Sequence, residues 1–175
     1  LSEAGAVTRA GAAAFVLRPA EPRDAADVAR LVHALAEFEK LGDQAKGTAE
    51  GFHAQLFGNE PVAHAMIAEV AGRAVGLALW FYNFSTFACR PGLYVEDVFV
   101  EPEHRGLGIG RAFFQALARR ALEKNCARME WAVLDWNVAA IDFYRGLGAV
   151  GMEDWTIQRL SADRVAALAD GGRNG

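Results

Sequence analysis

Only two cysteines, Cys89 and Cys126, occur in the 175 residues, far apart and without metal-type spacing. That excludes a disulfide-built scaffold and a cysteine-held metal centre, and it sets the expectation of a reducing, cytoplasmic location with no metal. None of the four histidines (His33, His53, His64 and His104) is tied to either cysteine by a recognisable motif, so no thiol nucleophile is indicated, and Cys126 reads as a small core residue. No run of 18 apolar residues exists. The longest candidate, around 74–84, is broken by Gly76 and Asn83 and reads as a strand, so no membrane partner is expected. Residues 1–14 lack a long apolar segment, which speaks against a secretory signal and marks them as a disordered tail. Positive charge is also in short supply: the net charge of -4 argues against nucleic acid as a partner. What the chain has in quantity is apolar side chain, 53%, enough to fill one core. With no internal repeat and no linker, a single domain over 15–169 is expected, followed by a second tail over 170–175.

Periodicity supplies the elements. Residues 15–18 read as a strand stopped by Pro19, and Asp24 reads as the cap of a helix bearing Val28, Leu31, Val32, Leu35 and Phe38 on one face. Thr48 is placed to cap a shorter helix through Phe52 and Leu56. Two strands, 64–70 and 73–82, flank Ala71-Gly72 and predict an antiparallel hairpin, followed by a loop over 83–92. A strand over 94–100 leads into a helix with Ile109, Phe113, Leu117 and Ala121 on one face. Further on, 129–134 reads as a strand, 138–147 as a helix stopped at Gly148, 155–160 as a last strand, and Ser161 or Asp163 as the start of a final helix. This order implies an α/β (α+β) fold: a three-layer domain with a mixed, mainly antiparallel central sheet flanked by helices.

The junction Arg105-Gly106-Leu107-Gly108-Ile109-Gly110 carries the most chemistry. Glycines between a strand and a helix leave backbone N–H groups bare at the positive end of the helix dipole, and Arg105 adds a full charge, so a phosphate-bearing ligand fits. A Walker loop is excluded because Gly110 is followed by Arg111-Ala112 rather than Lys-Ser/Thr. A dinucleotide fingerprint fails as well: counting from Gly106 or Gly108 puts Arg111 or Phe113 where the last glycine belongs. A glycine-rich turn that merely ends a strand is the plain alternative.

Read with its neighbours, the loop has the Arg/Gln-x-x-Gly-x-Gly/Ala form of the GCN5-related N-acetyltransferases (GNAT), and from about 15 to 160 the chain resembles that superfamily. The residues that carry the resemblance are Phe15-Val16-Leu17-Arg18-Pro19-Ala20, Leu35-Ala36-Glu37-Phe38-Glu39, Leu93-Tyr94-Val95-Glu96-Asp97-Val98-Phe99-Val100, Ala132-Val133-Leu134-Asp135-Trp136-Asn137 and Asp142-Phe143-Tyr144-Arg145-Gly146-Leu147-Gly148-Ala149. They look like the diamine (spermidine/spermine) acetyltransferase branch, and the blocks at Phe84-Ser85-Thr86-Phe87 and Trp136-Asn137 look more like its thialysine N-ε-acetyltransferase members.

The resemblance implies acetyl transfer from acetyl-CoA to a small primary amine by direct attack. A lysine-like amine with a pKa of about 10.4 is neutral in only roughly one molecule in a thousand near neutral pH, a burden of roughly 4 kcal/mol before chemistry begins. Glu96 matches the family carboxylate that draws off the proton, and Tyr144 the tyrosine that protonates the leaving thiolate. Asp97 would point to the opposite side of a regular strand. Carboxylates salt-bridged on a sheet surface and a tyrosine satisfied in a core are the plain alternatives. In the family this strand is bulged, leaving N–H groups near Val98, Phe99 and Val100 for the thioester carbonyl and pantetheine arm. Arg105, Gly106, Leu107, Gly108, Ile109, Gly110 and Arg111 would hold the diphosphate, with Asn137, Ala140 and Tyr144 along the arm.

The same likeness places Phe38, Glu39, Glu96 and Glu153 on the amine side, with Phe87 and Trp155 as apolar walls. Lys40 directly after Glu39, and Phe87 where the relatives carry tryptophan, depart from the pattern and point to a short amine rather than a long polycation. A homodimer is implied by the family alone. A protein N-acetyltransferase acting on a peptide N-terminus or lysine, and a noncatalytic acyl-CoA-binding domain, are the competing functions.

Overall fold

Three of the five strand pairings in the central sheet join neighbours that only a short turn or one helix separates along the chain. The computed structural model of the chain describes residues 7–8 and 15–171, and these fall into two compact units, Leu1–Ala132 and Val133–Gly175. The first unit holds a sheet of six strands, β1 (Val7–Thr8), β2 (Phe15–Pro19), β3 (His64–Val70), β4 (Arg73–Ser85), β5 (Arg90–Val100) and β6 (Met129–Glu130), lying side by side in that order. All pairings are antiparallel except β5 with β6, which is parallel. Helices α1 (Ala25–Phe38), α2 (Ala49–Phe57) and α3 (Ile109–Glu123) belong to the same unit, and α4 (Val138–Arg145) and α5 (Ala162–Ala169) to the second.

The β3–β4 hairpin forms as expected. Ala71 and Gly72 both take positive φ, 50° and 79°, as a two-residue turn matched to strand twist requires. β4 and β5 run further than the sequence implies: the expected loop over 83–92 shrinks to the turn 86–89, because Asn83, Phe84 and Ser85 continue the ladder against Gly92, Pro91 and Arg90.

Two faces of the sheet take up different helices. Ala65, Ile67, Leu77, Leu79 and Phe99 pack with Val28 and Leu31 of α1 and Leu56 of α2. The opposite face receives α3, whose Ile109, Phe113, Leu117 and Ala121 are all buried as periodicity indicates. Gly76 of β4 is what allows α3 so close. A Cβ there would lie 3.2 Å from the Phe113 ring and 3.1 Å from the Phe99 carbonyl oxygen.

Local chemistry fixes the helix entries. Thr48 caps α2, its Oγ1 accepting from the Gly51 N–H at 3.1 Å. Asp24 does not cap α1 in that manner: its carboxylate accepts from the Glu21 N–H at 2.7 Å and from both Arg18 terminal nitrogens at 2.6 and 2.8 Å. Arg18 also donates to Glu69 at 2.7 Å, so β2, β3 and the start of α1 share one cation. The guanidinium beside Asp24 holds that carboxyl below its ordinary range.

Three expectations are corrected in the C-terminal part. The strand expected over 129–134 is only Met129–Glu130. The expected strand over 155–160 has no regular structure and no partner strand among the described residues, with Trp155 and Ile157 70% exposed or more. The helix expected over 138–147 ends at Arg145, with Gly148 beyond it at φ 92°. The final helix starts after Ser161, as expected. Of the expected tail over 1–14, Val7–Thr8 pair with Val16 and Phe15, and the rest lies outside the described residues, as does 172–175.

Candidate functional site

β5 carries an irregularity at its centre. Leu79 of β4 stands opposite Asp97 and Trp80 opposite Val95, so Glu96 has no counterpart and forms a bulge. The expectation that Asp97 points away from Glu96 is thereby corrected: the extra residue turns both carboxylates to the Leu79 side, the side of α1. Glu96 is exposed and Asp97 partly buried. Burial, then the negative charges of Glu96 and Glu39, push the Asp97 carboxyl up to about 6. No described residue donates a hydrogen bond or ion pair to it.

Glu39 reaches this place through the way α1 ends. The Lys40 N–H donates to the Glu37 carbonyl and the Leu41 N–H to the Ala36 carbonyl (3.1 and 2.8 Å), while Lys40 takes the left-handed conformation at φ 61°. This double closure usually employs glycine at the left-handed position. It holds Phe38 and Glu39 at the helix end. Burial raises the Glu39 carboxyl above its ordinary range.

Beyond the bulge, β5 keeps only one neighbour. β6 pairs with Leu93 and Tyr94 alone, so the edge of β5 from Val95 to Val100 that faces away from β4 meets no strand among the described residues. The Val98 and Val100 N–H groups on that edge are therefore available to a ligand, whereas Phe99 turns its backbone groups toward β4, in step with the Glu101 N–H that donates to the Val75 carbonyl. The strand end itself is anchored. Buried Glu101 accepts from Arg30 at 2.6 Å and from Arg73 at 2.6 and 2.7 Å, tying α1, β4 and the end of β5 together. Glu101, Glu103 and His104 bring ligand-type atoms within 4.8 Å of one another, but Glu101 is committed to the two arginines and the group reads as an ion-pair anchor.

The glycine loop follows directly. Gly106 and Gly108 take φ 82° and 85°, and a Cβ at either would meet nothing within 4 Å. The space before the loop is open. Gly108 caps α3 without a side chain, so the first-turn amides of Ile109, Gly110 and Arg111 have no acceptor within the helix. Among the described residues the amides of Gly106, Leu107 and Gly108 make no backbone hydrogen bond either. This is a cradle of donors at a helix N-terminus, suited in charge and geometry to a diphosphate such as that of coenzyme A. Arg105 stands at its edge, donating from Nε to the Val100 carbonyl at 3.1 Å with its guanidinium 4.6 Å from the Phe38 ring centroid.

The structure thus gathers Phe38, Glu39, Glu96, Val98, Phe99, Val100 and residues 105–111 in the first unit. Asp97 joins them, a residue that sequence reasoning set aside. The adjacent acidic pair was the visible signal; the bulge that turns both the same way was not. In the second unit, Asn137 caps α4, its Oδ1 accepting from the Ala140 N–H at 3.3 Å, and Tyr144 lies on the same helix with its ring 5.5 Å from that of Phe143. Glu153 and Trp155 are exposed in that unit, and Phe87 is fully exposed in the first.

The sequence profile of the acetyltransferase (GNAT) family matches residues 28–149. Thialysine N-epsilon-acetyltransferase from Bos taurus is 38% identical over 168 residues, covering 89% of this chain and 98% of the relative. L-ornithine N5-acetyltransferase NATA1 from Arabidopsis thaliana is 38% identical over 93 residues, 53% of this chain and 41% of the relative. Among solved structures, an integron cassette protein from the mobile metagenome of V. cholerae superposes with a TM-score of 0.75 at 23% identity, over 89% of this chain and 97% of its own. It shares the fold.

Proposed function

The chain belongs to the acetyltransferase (GNAT) family, and we propose that it moves the acetyl group of acetyl-CoA onto the primary amine of a small substrate, a short diamine or a thialysine- or lysine-like amine. Family members use acetyl-CoA as co-substrate, and close relatives are amine N-acetyltransferases. The observation that carries the reading is the composition of β5: carboxylates bulge from its middle, and a bare-amide cradle follows its end. One strand therefore serves a cation and an anion.

Each residue then has a task. The amides of 106–111 and the charge of Arg105 would hold the diphosphate. The unpaired edge at Val98 and Val100, with Phe99 between them, would receive the acyl carbonyl and the pantetheine arm, the Val98 and Val100 N–H groups donating where negative charge develops on oxygen. In the second unit, Asn137, Ala140 and Tyr144 are assigned to the arm and the sulfur, with the Tyr144 hydroxyl returning a proton to the thiolate. Phe38, Glu39, Glu96 and Glu153 are assigned to the amine, with carboxylates for its charge and the aromatic ring for its stem.

Residues 15–169 constitute one N-acetyltransferase domain in this reading, supported by a family match that runs across both units. A cytoplasmic location fits two free cysteines. A homodimer belongs to the same proposal, and the exposed Met152, Trp155, Ile157 and Leu160 support it as surface in need of cover. Among the described residues no helix is long and apolar enough to cross a membrane.

A panel of diamines, polyamines, amino acids with side-chain amines, and peptides, each incubated with acetyl-CoA and read by mass spectrometry, tests the function. Monoacetylated short amines are expected. Acetylated peptides alone would move the protein to the protein-modifying class, and coenzyme binding without turnover would make it a noncatalytic binder.

A further inference from the structure

Two adjacent carboxylates stand on the amine side of β5, and the geometry distinguishes them. Glu96 is the bulged residue, exposed and opposite nothing. Asp97 is paired in register with Leu79, partly buried, and meets no hydrogen-bond donor or cation among the described residues. The charged groups acting on it are both acidic: Glu96 from its own strand and Glu39 from the end of α1, while β4 presents apolar Leu79. Arg105, from the loop after β5, lies over the Phe38 and Phe99 rings instead of pairing with it. A partly buried carboxylate left without a donor between two other acids is unfavourable by itself and becomes favourable when an ammonium enters.

We propose that Asp97, rather than Glu96, takes the proton from the acceptor amine, directly or through one water, while Glu39 and Glu96 hold the ammonium form that arrives. The assignment rests on the amine N-acetyltransferase reading and refines it. The alkylammonium gives one proton to the Asp97 carboxylate, which passes it to solvent. The freed nitrogen lone pair forms the bond to the thioester carbonyl carbon. As the C–S bond breaks, the nitrogen loses a second proton and the thiolate sulfur gains one, so the amide, the free thiol and one net proton are the products.

Two features favour Asp97 over its neighbour. A general base works best when its pKa lies near the operating pH, and Asp97, at about 6, has been moved in that direction. Its register pairing with Leu79 also holds the backbone at a fixed place in the ladder, whereas Glu96 extends from the unpaired residue of the bulge. Glu96 then acts on Asp97 through its charge, as a positioning and tuning residue.

Rate against pH for wild type, Asp97→Asn and Glu96→Gln, at saturating acetyl-CoA, separates the roles. In wild type, kcat/KM for the amine should fall below a limb near pH 6. Asp97→Asn should lose that limb and about 10²- to 10⁴-fold in kcat near neutrality, the defect shrinking as pH approaches the amine pKa and solution supplies the neutral amine. Glu96→Gln should keep the limb and move it to lower pH, because one of the charges that raises it is gone. Calorimetry with coenzyme A should give unchanged donor affinity for both variants. Should Asp97→Asn not fold, the downward move in Glu96→Gln still decides the matter. A pH-independent defect in Asp97→Asn, or loss of the limb in Glu96→Gln, overturns the assignment while leaving the enzyme an acetyltransferase. A wild type that acetylates no amine removes the reading beneath it.

Discussion

Asp97 of β5 faces Leu79 of β4, and no residue of β4 faces Glu96. That single offset turns an Asp into the cleft-side face of the sheet, where its charge is held at a cost to folding. Its carboxyl is raised from 3.8 in the unfolded chain to about 6 in the folded one, so its contribution is fully present below pH 4 and is lost as pH rises through 6.

Asp97→Asn should therefore be more stable than wild type above pH 6, by up to about 3 kcal/mol, and no more stable below pH 4. Urea midpoints at pH 4, 5, 6 and 8 would show the gap opening over this window. A gap of constant size across the series would refute the electrostatic origin.

Gly108 sits at φ 85° with open space before it. Ala there clashes with nothing but must hold a left-handed backbone, which costs roughly 1–2 kcal/mol. Gly108→Ala should lower the melting temperature by several degrees and raise KM for acetyl-CoA about tenfold as the amides it aims are displaced. Unchanged KM would remove the cradle from donor binding.

Tyr144→Phe should reduce kcat at least tenfold with little change in affinity for coenzyme A, since only the hydroxyl is lost. Equal turnover would take Tyr144 out of the acid role. Single-turnover acetylation at saturating donor is the suitable measurement, because product release then does not mask the chemical step.

The ion network at the start of α1 is structural. Asp24→Ala strands Arg18 with Glu69 as its remaining acid and should destabilise by about 3 kcal/mol at neutral pH. The Asp24 carboxyl is held down by Arg18, so its contribution is present above the unfolded value near 4 and disappears as pH falls through the folded one. The difference between variant and wild type should accordingly narrow as the solution is made acidic, which thermal melts at pH 2 and 7 would establish.

Where structure follows from nearest neighbours, the residues announce it: Thr48 before α2, Ala71-Gly72 between β3 and β4, and the four buried positions on α3. Where it depends on a partner across space, they do not. Glu96 and Asp97 stand side by side between Val95 and Val98, a doubled polar step, but only the pairing with β4 shows which of them is the extra residue. Trp155 and Ile157 alternate with polar residues too, yet alternation guarantees an amphipathic ribbon and not a neighbour to bond with. Lys40 hides the end of α1, since it occupies a left-handed position where glycine would have been the sign. The loop over 105–111 was readable because bare amides are a property of the backbone that glycine spacing controls; its partner carboxylate was readable as a pair but not as an individual.

From β3 to β5 each strand is joined to the next by a short reversal and lies beside it in the sheet. Such a meander closes small loops one after another, so its assembly demands little search through chain space and can run ahead of the slower parallel join between β5 and β6. The acidic bulge lies within this early-zipping ribbon. The strand bearing the proposed base would thus be in register with β4 before its parallel join to β6 forms.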